Sequence, residues 1–346
     1  DDFDLRKIVA KAEKSKDYGQ LLSAELQSAQ VMSRIAPDSL KPAMERISER
    51  CERTQDMVLK TVYQTVLYEV YSSNGQLEVT PVKPVLTEEV CTQLAQVKDA
   101  TYAPFVIKGV DAGIFNNDLL HVVGYELDES DSYDEMYAYY KKVGNRRAAC
   151  LTAVQVYRYA SKDKLDEVIS EYEDLAEAGE LAMARYRNIA YDQKGEKLAY
   201  IEEALGKWGS RWPRLKHTFD NTRRELTNPQ YGLAFDRNVV LPEQAQMMSL
   251  TDIRNLRSLS LTVYQVKAQG DIAVSPDNSK GYAQIKPLLG DVVYKEVRQY
   301  SDKTSYELFE DSILMKGLPV GVYMLEFVSN PSTQVTRRLY FVTDVY

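Results

Sequence analysis

The acidic stretch ELDESDSYDE, residues 126–135, has the residue types and spacing that come nearest to a metal-binding loop. It carries four oxygen-bearing side chains at alternate positions: Asp128, Ser130, Ser132 and Asp134. An EF-hand calcium loop also needs glycine at its sixth position and glutamate at its twelfth, where this sequence has Tyr133 and Tyr139. We therefore expect no calcium, and a solvated loop in which Asp131 or Ser132 caps the next helix.

The sequence contains few residues that could carry thiol or imidazole chemistry. The three cysteines, Cys51, Cys91 and Cys150, form no CxxC pair, so the sequence favours buried or idle thiols over disulfides or a metal site. The two histidines, His121 and His217, leave little for zinc or for a histidine-based triad. His121 lies in an apolar helical stretch and is expected to be a hydrogen-bonded core residue. The sequence predicts no catalytic, cofactor-binding or metal-binding residue and no cofactor, so we expect that the chain is not an enzyme.

Aromatic residues supply the candidate interaction surface. Its members are Tyr133, Tyr137, Tyr140, Tyr157, Trp208 and Trp212. Tyrosine and tryptophan are favoured at recognition surfaces because they combine a large contact area with a polar tip. The tyrosines either line a groove between helices or simply pack helices together. The two tryptophans flank Gly209 and either close the end of the helical part or stack on a sugar.

Charge and length restrict the partners. The formal net charge of −8 offers no basic surface for phosphates, so we expect no nucleic-acid partner. No apolar run approaches the ~20 residues that span a bilayer, so we expect no transmembrane segment. A chain of 346 residues is too long for one ordinary core.

Residues 1–228 have the apolar periodicity of helices. In DMVLKTVYQTVLYEVY, valines and then leucines and tyrosines recur every fourth residue, which indicates a largely buried helix. From Arg146 onward, paired helices repeat with a period of about 33–34 residues, which predicts a TPR-like helical-repeat array. Residues 72–86, with two prolines and no helical stripe, are interpreted as a long loop and a possible boundary within the helical part.

Residues 229–346 change to a period of two. Seven alternating segments in about 115 residues, separated by turn residues, predict a seven-stranded antiparallel β-sandwich of the immunoglobulin or fibronectin type. The fold class is thus α+β and multidomain, with a helical array followed by the sandwich.

The stretch LPVGVYMLEF, residues 318–327, matches a tyrosine corner. Leu318 would close the end of the core, Pro319 would stiffen the corner and Gly321 would allow the bend. Tyr323 would turn its hydroxyl back onto the corner. An ordinary hairpin with an exposed tyrosine is the alternative. On the same strand we expect Met324 to face away from the core that Leu325 joins, and to contribute less to stability.

The strand region resembles the first macroglobulin domain of large bacterial alpha-2-macroglobulin-like proteins. The likeness is carried by NPQYGLAFDRNVVLPEQAQMMSLTDIRNLRSLSLTVYQV, with Arg254-Asn255 before the alternating Leu259, Leu261, Val263 and Tyr264. The stretches LPVGVYMLEFVSNPS and RRLYFVTD resemble that domain's closing strands. Some of these proteins have a TPR-like helical region in front, which YGQLLSAELQSAQ and NNDLLHVVGYEL resemble.

The resemblance implies the N-terminal part of a larger envelope protein of the protease-inhibitor type, periplasmic or associated with the outer membrane. Family members with a thioester use a Cys-Gly-Glu-Gln motif, whereas here Cys51 is followed by Glu-Arg-Thr and Cys91 by Thr-Gln-Leu. The thioester and the bait region are therefore expected to be absent from this chain. The expected partners are other domains of the same polypeptide and a protein partner.

Two functions remain open at this point. The first is a non-enzymatic scaffold or docking portion of such a protein. The alternative is an independent glycan- or peptide-binding module that uses a tyrosine-lined groove of the helical part.

Overall fold

The computed structural model describes residues 2–35, 39–73, 82–235, 237–268, 272–303, 306–333 and 335–345. The chain divides into two compact units, Asp1–Asn188 and Ile189–Tyr346. Helix gives way to strand between Thr227 and Gln230, inside the second unit. The division of the sequence at residue 228 into two domains stays a prediction.

The regular secondary structure in the described part of the first unit is helical, with loops over residues 82–87 and 103–118. Its helices are α1 (Asp2–Ser15), α2 (Tyr18–Ile35), α3 (Leu40–Arg53), α4 (Met57–Ser73), α5 (Glu88–Gln96), α6 (Leu119–Leu127), α7 (Ser130–Lys142), α8 (Arg146–Val156), α9 (Lys162–Tyr172) and α10 (Ala178–Tyr186). Side-chain caps begin several of them: Thr87 accepts from Val90 N, and Asn145 accepts from Ala148 N. Such caps satisfy backbone donors that have no partner within the helix.

Helix α4 confirms the fourfold apolar spacing found in the sequence. Val58, Leu59, Val62, Tyr63 and Val66 are all buried. The long loop predicted at 72–86 is partly outside the described residues, which resume at 82; residues 72 and 73 still belong to α4.

The acidic stretch 126–135 is not the loop that the sequence predicted. Helix α6 ends at Leu127, and α7 already begins at Ser130, so most of the stretch is helical. Asp128 makes the turn between them in the left-handed region, at φ 45°, which aspartate tolerates better than most residues. Asp131 and Ser132 therefore lie inside the first turn of α7 and do not cap it.

The second unit starts with two helices joined by a π-helical turn, α11 (Lys194–Ala204) and α12 (Pro213–Thr227), with the turn at Leu205–Gly209. Pro213 stands at the first position of α12, where its missing N–H costs nothing. The strands follow in the order β1 (Gln230–Ala234), β2 (Val239–Val240), β3 (Gln246–Arg254), β4 (Ser258–Val266), β5 (Leu289–Gln299), β6 (Phe309–Met315), β7 (Gly321–Asn330) and β8 (Thr336–Val342). A short helix, α13 (Ser279–Ile285), precedes β5.

The strands form two sheets, one with the order β1-β3-β6 and one with the order β2-β8-β7-β4-β5. Neighbouring strands are antiparallel except β2 and β8, which are parallel. The described residues thus contain eight strands where the sequence predicted seven. The first predicted segment, GLAFDRNVVL at residues 232–241, corresponds to two strands, β1 and β2. The prediction of an α+β chain, helical first and strand-rich second, is confirmed.

Buried side chains from both sheets join one hydrophobic cluster. Leu250 and Ile253 of β3, Leu261 of β4 and Leu325 and Phe327 of β7 are at 0% exposure within it. Alternate residues of a strand point to opposite faces, and a register shift between Leu250 and Ile253 lets both of them face inward. These side chains therefore mark the inner face of each strand.

A second, smaller cluster covers the other face of the five-stranded sheet. It contains Val266 of β4, Ile285 of α13 and Met324 of β7. Met324 faces away from Leu325 as predicted, yet it is just as buried, at 0% exposure. The expectation that it matters less for stability assumed an open outer face, whereas α13 covers this face, which the sequence pattern did not show.

Candidate functional site

The structure buries four of the six aromatic residues proposed as an interaction surface. Tyr133, Tyr140, Trp208 and Trp212 are exposed by 2%, 1%, 2% and 8%. Tyr137 and Tyr157 are half-buried and reach the surface of the first unit. The spacing of aromatic residues along helices did not separate the packed members from the accessible ones.

Tyr140 belongs to a buried polar network around Asp118. Its hydroxyl donates to Asp118 Oδ2 at 2.9 Å, while His121 presents both its backbone N–H and ring Nδ1 to Asp118 Oδ1, at 3.0 and 2.8 Å. The His121 ring stacks on Phe115 with centroids 4.7 Å apart. The predicted hydrogen bond of His121 is confirmed, while its side chain is 12% exposed and is therefore not fully in the core. Burial raises the pKa of Tyr140 far above its usual value, so its hydroxyl stays protonated and can donate to Asp118.

Tyr133 is fixed in a similar way at the turn between α6 and α7. Its hydroxyl donates to Asp128 Oδ1 at 2.9 Å, and Arg158 donates to the same oxygen at 3.3 Å. The Arg158 guanidinium also lies 5.7 Å from the Tyr133 ring centroid. The side chain therefore closes a turn and does not form part of a groove.

Tyr137 and Tyr157 form the accessible remainder of the tyrosine cluster. Their rings meet edge to face, with centroids 6.0 Å apart and planes at 88°. The Lys141 ammonium lies 5.2 Å from the ring of Tyr137, and that of Lys164 lies 5.5 Å from the ring of Tyr157. We call these four residues the tyrosine–lysine surface. Both lysines are also paired with carboxylates, Lys141 with Glu171 at 2.9 Å and Lys164 with Glu167 at 3.1 Å. The surface therefore offers a ligand aromatic area and charges that are already paired.

The two tryptophans pack within the second unit. Trp208 lies in the π-helical turn, and the backbone N–H of Trp212 donates to its carbonyl at 2.9 Å. The Arg214 guanidinium covers the Trp212 ring at 4.6 Å. Because both rings are buried, the packing interpretation fits the structure and sugar stacking does not.

The four residues of the predicted corner come together in the second unit. The Tyr323 hydroxyl donates to the Pro319 carbonyl at 2.8 Å, and Leu318, exposed by 3%, joins the main cluster of the strand region. Gly321 does not adopt a positive φ. A Cβ at this position would lie 3.4 Å from the Tyr323 hydroxyl, which is an ordinary contact, so neither a bend nor close packing requires glycine here.

The sequence did not reveal a polar pocket of about 270 Å³ among α1, α2 and α3. Its buried ionisable side chain is that of Glu25, 8% exposed. The Glu25 carboxylate accepts from Arg50 Nε at 2.5 Å and from the Tyr63 hydroxyl at 3.2 Å, and Arg50 also pairs with Glu13 at 2.8 Å. Burial raises the pKa of Glu25 to about 6, against the opposing effect of Arg50.

This pocket can bind a small polar ligand or hold a proton near neutral pH, since a buried carboxyl with a shifted pKa in a cleft is a common feature of functional sites. The sequence feature that could have indicated this site is a glutamate inside the apolar stretch of α2. The apolar residues around it, Leu21, Leu22 and Ala29, are buried. A single acidic residue in such a stretch is too weak a pattern to mark a site.

The thiols offer no comparable chemistry. All three cysteines are free and buried, which confirms the prediction of buried thiols. Burial raises the pKa of Cys91 to about 12 and that of Cys51 above its usual value, so neither is a ready nucleophile. Among the described residues, no group of three or more histidine, cysteine, aspartate or glutamate side chains is placed to hold a metal ion. The described helices also include none whose length and apolar character would let it cross a membrane.

Comparison with known proteins gives little more. No protein-family model matches the sequence. No curated protein matches it either. Among solved structures, the alkylpurine DNA glycosylase AlkC of Pseudomonas fluorescens, bound to DNA containing an abasic site analog, aligns over 99% of this chain and 98% of its own, at 11% identity and a TM-score of 0.27. The PmoD soluble domain of Methylocystis sp. ATCC 49242 aligns over 34% of this chain and 93% of its own, at 14% identity and a TM-score of 0.20.

The prediction that this chain is not an enzyme is withdrawn, since the solved structure that aligns with nearly the whole chain, AlkC, is that of an enzyme. At these TM-scores neither likeness carries an argument about activity or DNA binding here. The expectation of no nucleic-acid partner stays a prediction.

Proposed function

We propose that this chain is the N-terminal docking portion of a bacterial alpha-2-macroglobulin-like envelope protein. In this proposal residues 229–346 form its first macroglobulin domain, a β-sandwich, and the helices before them form a TPR-like array. The protein is periplasmic or associated with the outer membrane, and its partners are further domains of the same polypeptide and a protein ligand.

The observation that carries the proposal is the position of Asn255, part of the Arg-Asn pair that supports the family resemblance. Its side-chain N–H donates to the carbonyls of Leu226 and Asn228, at 2.7 and 3.2 Å, and its Oδ1 accepts from Tyr306 N at 3.0 Å. The residue thus joins the end of α12 to the strand region. A residue that carries the family resemblance thus has a structural role where the helices meet the strands, and this supports the proposal.

The two sheets supply further support. Leu259, Leu261 and Val263, the alternating residues of the resemblance, are each at 0% exposure and pack in the cluster shared by both sheets. The hydrogen bond from Tyr323 to Pro319 is the corner expected of an immunoglobulin-like sandwich.

The docking surface in this proposal is the tyrosine–lysine surface of the first unit. Tyr137 and Tyr157 are the accessible candidate aromatics, and the lysines beside them, Lys141 and Lys164, are exposed by 46% and 41%. Interface energy concentrates in tyrosines of this kind.

The test uses the polypeptide encoded downstream of residue 346, produced as a separate protein. We expect it to contain further macroglobulin domains and to bind this chain in calorimetry. Tyr137→Ala combined with Tyr157→Ala should weaken binding by about tenfold or more. Tyr191→Ala is the matched control, because Tyr191 is 77% exposed and also lies under a lysine, Lys194.

A reading frame that ends soon after residue 346 would contradict the proposal and favour the alternative, an independent glycan- or peptide-binding module. The half-buried Tyr137 and Tyr157 would then be its site. Screening the chain against glycan and peptide arrays, with the same double variant, tests that alternative directly.

A further inference from the structure

The pocket among α1, α2 and α3 has an apolar wall and a charged wall. It has a volume of about 270 Å³. The apolar wall includes Ala29, Ala43 and Ile47, which are exposed by 2%, 4% and 3%. The charged wall includes Glu13, Glu25, Arg46 and Arg50. A cavity with this mixed lining suits a small organic molecule that has one charged end.

The charges at the Glu25 end of the pocket are unevenly matched. Arg50 pairs with the Glu25 carboxylate at 2.5 Å and with that of Glu13 at 2.8 Å. One guanidinium thus faces two carboxylates, and the three groups carry an excess negative charge while Glu25 is ionised. Protonation of Glu25 removes this excess and leaves Arg50 matched to Glu13.

Arg46 supplies a second cation on the same helix. It lies one turn before Arg50 on α3, lines the same pocket and is exposed. Within the described residues no carboxylate pairs with Arg46, whereas Arg50 has its two partners and Arg53 pairs with Glu49 at 3.6 Å. A guanidinium can donate two parallel N–H bonds to a carboxylate. Arg46 is therefore the group of the pocket that is best suited to an anionic ligand.

Glu25 links such a ligand to a proton. The groups that face its carboxyl are Glu13 from α1, Arg50 from α3 and Tyr63 from α4. Burial raises the pKa of Glu25 to about 6, and Glu13 acts in the same direction, against Arg50 and the hydrogen bond from Tyr63. An anion in the pocket repels the ionised form of Glu25, so binding of the anion and uptake of a proton favour each other.

We propose that this pocket binds a small organic acid together with a proton. The carboxylate of the ligand pairs with Arg46, its apolar part lies against Ala29, Ala43 and Ile47, and Glu25 takes up the proton from solvent. The inference is independent of the proposed docking function, because the tyrosine–lysine surface belongs to α7, α9 and the residue that follows α8.

The first test is calorimetric titration of the whole chain with sodium hexanoate. We expect saturable binding at millimolar concentration or below. Three further probes vary one feature each: 1-hexanol lacks the charge, hexylamine reverses it, and sodium phosphate lacks the apolar part. Each should bind about tenfold more weakly than hexanoate, or less, because it forgoes the charged hydrogen bonds or the apolar contact.

Two variants of α3 place the carboxylate. Arg46→Gln should weaken hexanoate binding by about tenfold or more and leave binding of 1-hexanol unchanged. Arg53→Gln is the matched control, because Arg53 is on the same helix, is 80% exposed and does not line the pocket. It should leave hexanoate binding unchanged. Helical circular dichroism establishes that both variants are folded.

A third variant tests the proton. Hexanoate binding to the unaltered chain should strengthen by about tenfold as the pH falls from about 7.5 to about 5.5. The uptake of a proton is measured from the binding heats in buffers of different ionisation enthalpy. Glu25→Gln keeps the shape of the side chain but cannot ionise, so it should bind hexanoate tightly at both pH values and without proton uptake.

Four outcomes would overturn the proposal. Absence of saturable hexanoate binding, or equal binding of 1-hexanol, would leave no role for Arg46. Tighter binding of hexylamine would make the pocket a cation site around Glu25. Equal binding of phosphate would make it a site for inorganic anions. Proton uptake that persists in Glu25→Gln would show that another group titrates on binding.

Discussion

Met324 and Leu325 are neighbours in β7 and are both fully buried, yet they belong to separate hydrophobic clusters on opposite faces of the five-stranded sheet. Leu325 packs in the cluster shared by both sheets, while Met324 packs with Val266 and Ile285. The sheet therefore has no solvent-facing side at this point. Its stability depends on α13 as well as on the other sheet.

The first prediction follows from this arrangement. Leu325→Ala and Met324→Ala should each lower the free energy of unfolding of the second unit by about 2–5 kcal/mol, because each leaves a cavity in a closed cluster. Val328→Ala, on the Met324 face but 38% exposed, should cost much less. Hydrogen exchange of the β4 and β7 amides measures the free energy of unfolding of all three variants. A Met324→Ala cost as small as that of Val328→Ala would mean that α13 does not cover the sheet.

Tyr323→Phe tests the corner. The change removes the hydrogen bond to the Pro319 carbonyl and should cost about 0.5–1.5 kcal/mol, or nearer 3 kcal/mol if that carbonyl stays buried and unpaired. Tyr340 is the matched control, since it pairs with Tyr323 across β7 and β8 and is 2% exposed. Its hydroxyl makes no hydrogen bond within the described residues, so Tyr340→Phe should be nearly neutral. Equal effects of the two changes in urea unfolding would argue against a corner held by Tyr323.

Asn255 is predicted to hold the junction between α12 and the strands. Asn255→Asp keeps the acceptor for Tyr306 N but replaces the donor to Leu226 and Asn228 with a carboxylate oxygen. We expect faster hydrogen exchange in the last turn of α12 and a loss of about 1–3 kcal/mol. Asn255→Gly removes the same contacts without strain, since the residue has φ 57°. If both variants leave α12 unchanged, the junction does not depend on this side chain.

The substitutions Gly281→Ala and Gly195→Ala should change the stability of the second unit in opposite directions. A Cβ on Gly281 in α13 would lie 1.8 Å from the Ser275 carbonyl oxygen, so the backbone would have to move and the variant should be destabilised. A Cβ on Gly195 in α11 would meet nothing within 4 Å, and Gly195→Ala should stabilise by about 0.4–1 kcal/mol through helix propensity. Thermal unfolding of the two variants checks the pair. A neutral Gly281→Ala would show that α13 is not held against residue 275.

Glu25 should make the first unit less stable as the pH rises. Its pKa in the folded protein is about 6, above the ordinary value of 4.5, because burial disfavours the charged form. A carboxyl with a raised pKa contributes stability that is complete below about 4.5 and is lost as pH rises through about 6, on the order of 2 kcal/mol in all. Glu25→Gln should remove this slope from the unfolding free energy measured by helical circular dichroism.

The control for this experiment is Glu49→Gln on α3, whose side chain is 63% exposed. Glu69 titrates in an overlapping range, with its pKa raised to about 7 by a hydrogen bond to Glu126. For that reason the test compares the pH dependence of the unfolding free energy in Glu25→Gln with that in the unaltered chain. The same slope in both would contradict the assignment to Glu25.

The sequence predicted the order of the architecture because periodicity reports burial directly. Fourfold spacing in α4 and twofold spacing in β4 and β7 each place apolar side chains on faces that the structure buries. Tyr323 could be found in the same way, since its partner lies only four residues away. Local patterns were sufficient for these elements.

Contacts between distant residues were not visible to such patterns. The Glu25 pocket, for example, is lined by residues that belong to three helices and are far apart in the sequence. The aromatic cluster failed as a predicted surface for the same reason, because Tyr133 and Tyr140 are buried by partners at Asp128 and Asp118. The cover over Met324 comes from a short helix with no strong apolar stripe of its own.

The distribution of two residue types gives each unit its own chemical reporter. Both tryptophans, Trp208 and Trp212, are buried in the second unit, whereas Cys51, Cys91 and Cys150 are all buried in the first. Indole fluorescence therefore follows opening of the strand-containing unit. The rate at which a thiol reagent labels the unaltered chain follows opening of the helical unit. One sample can thus show whether the two units unfold together or in sequence, without any engineered label.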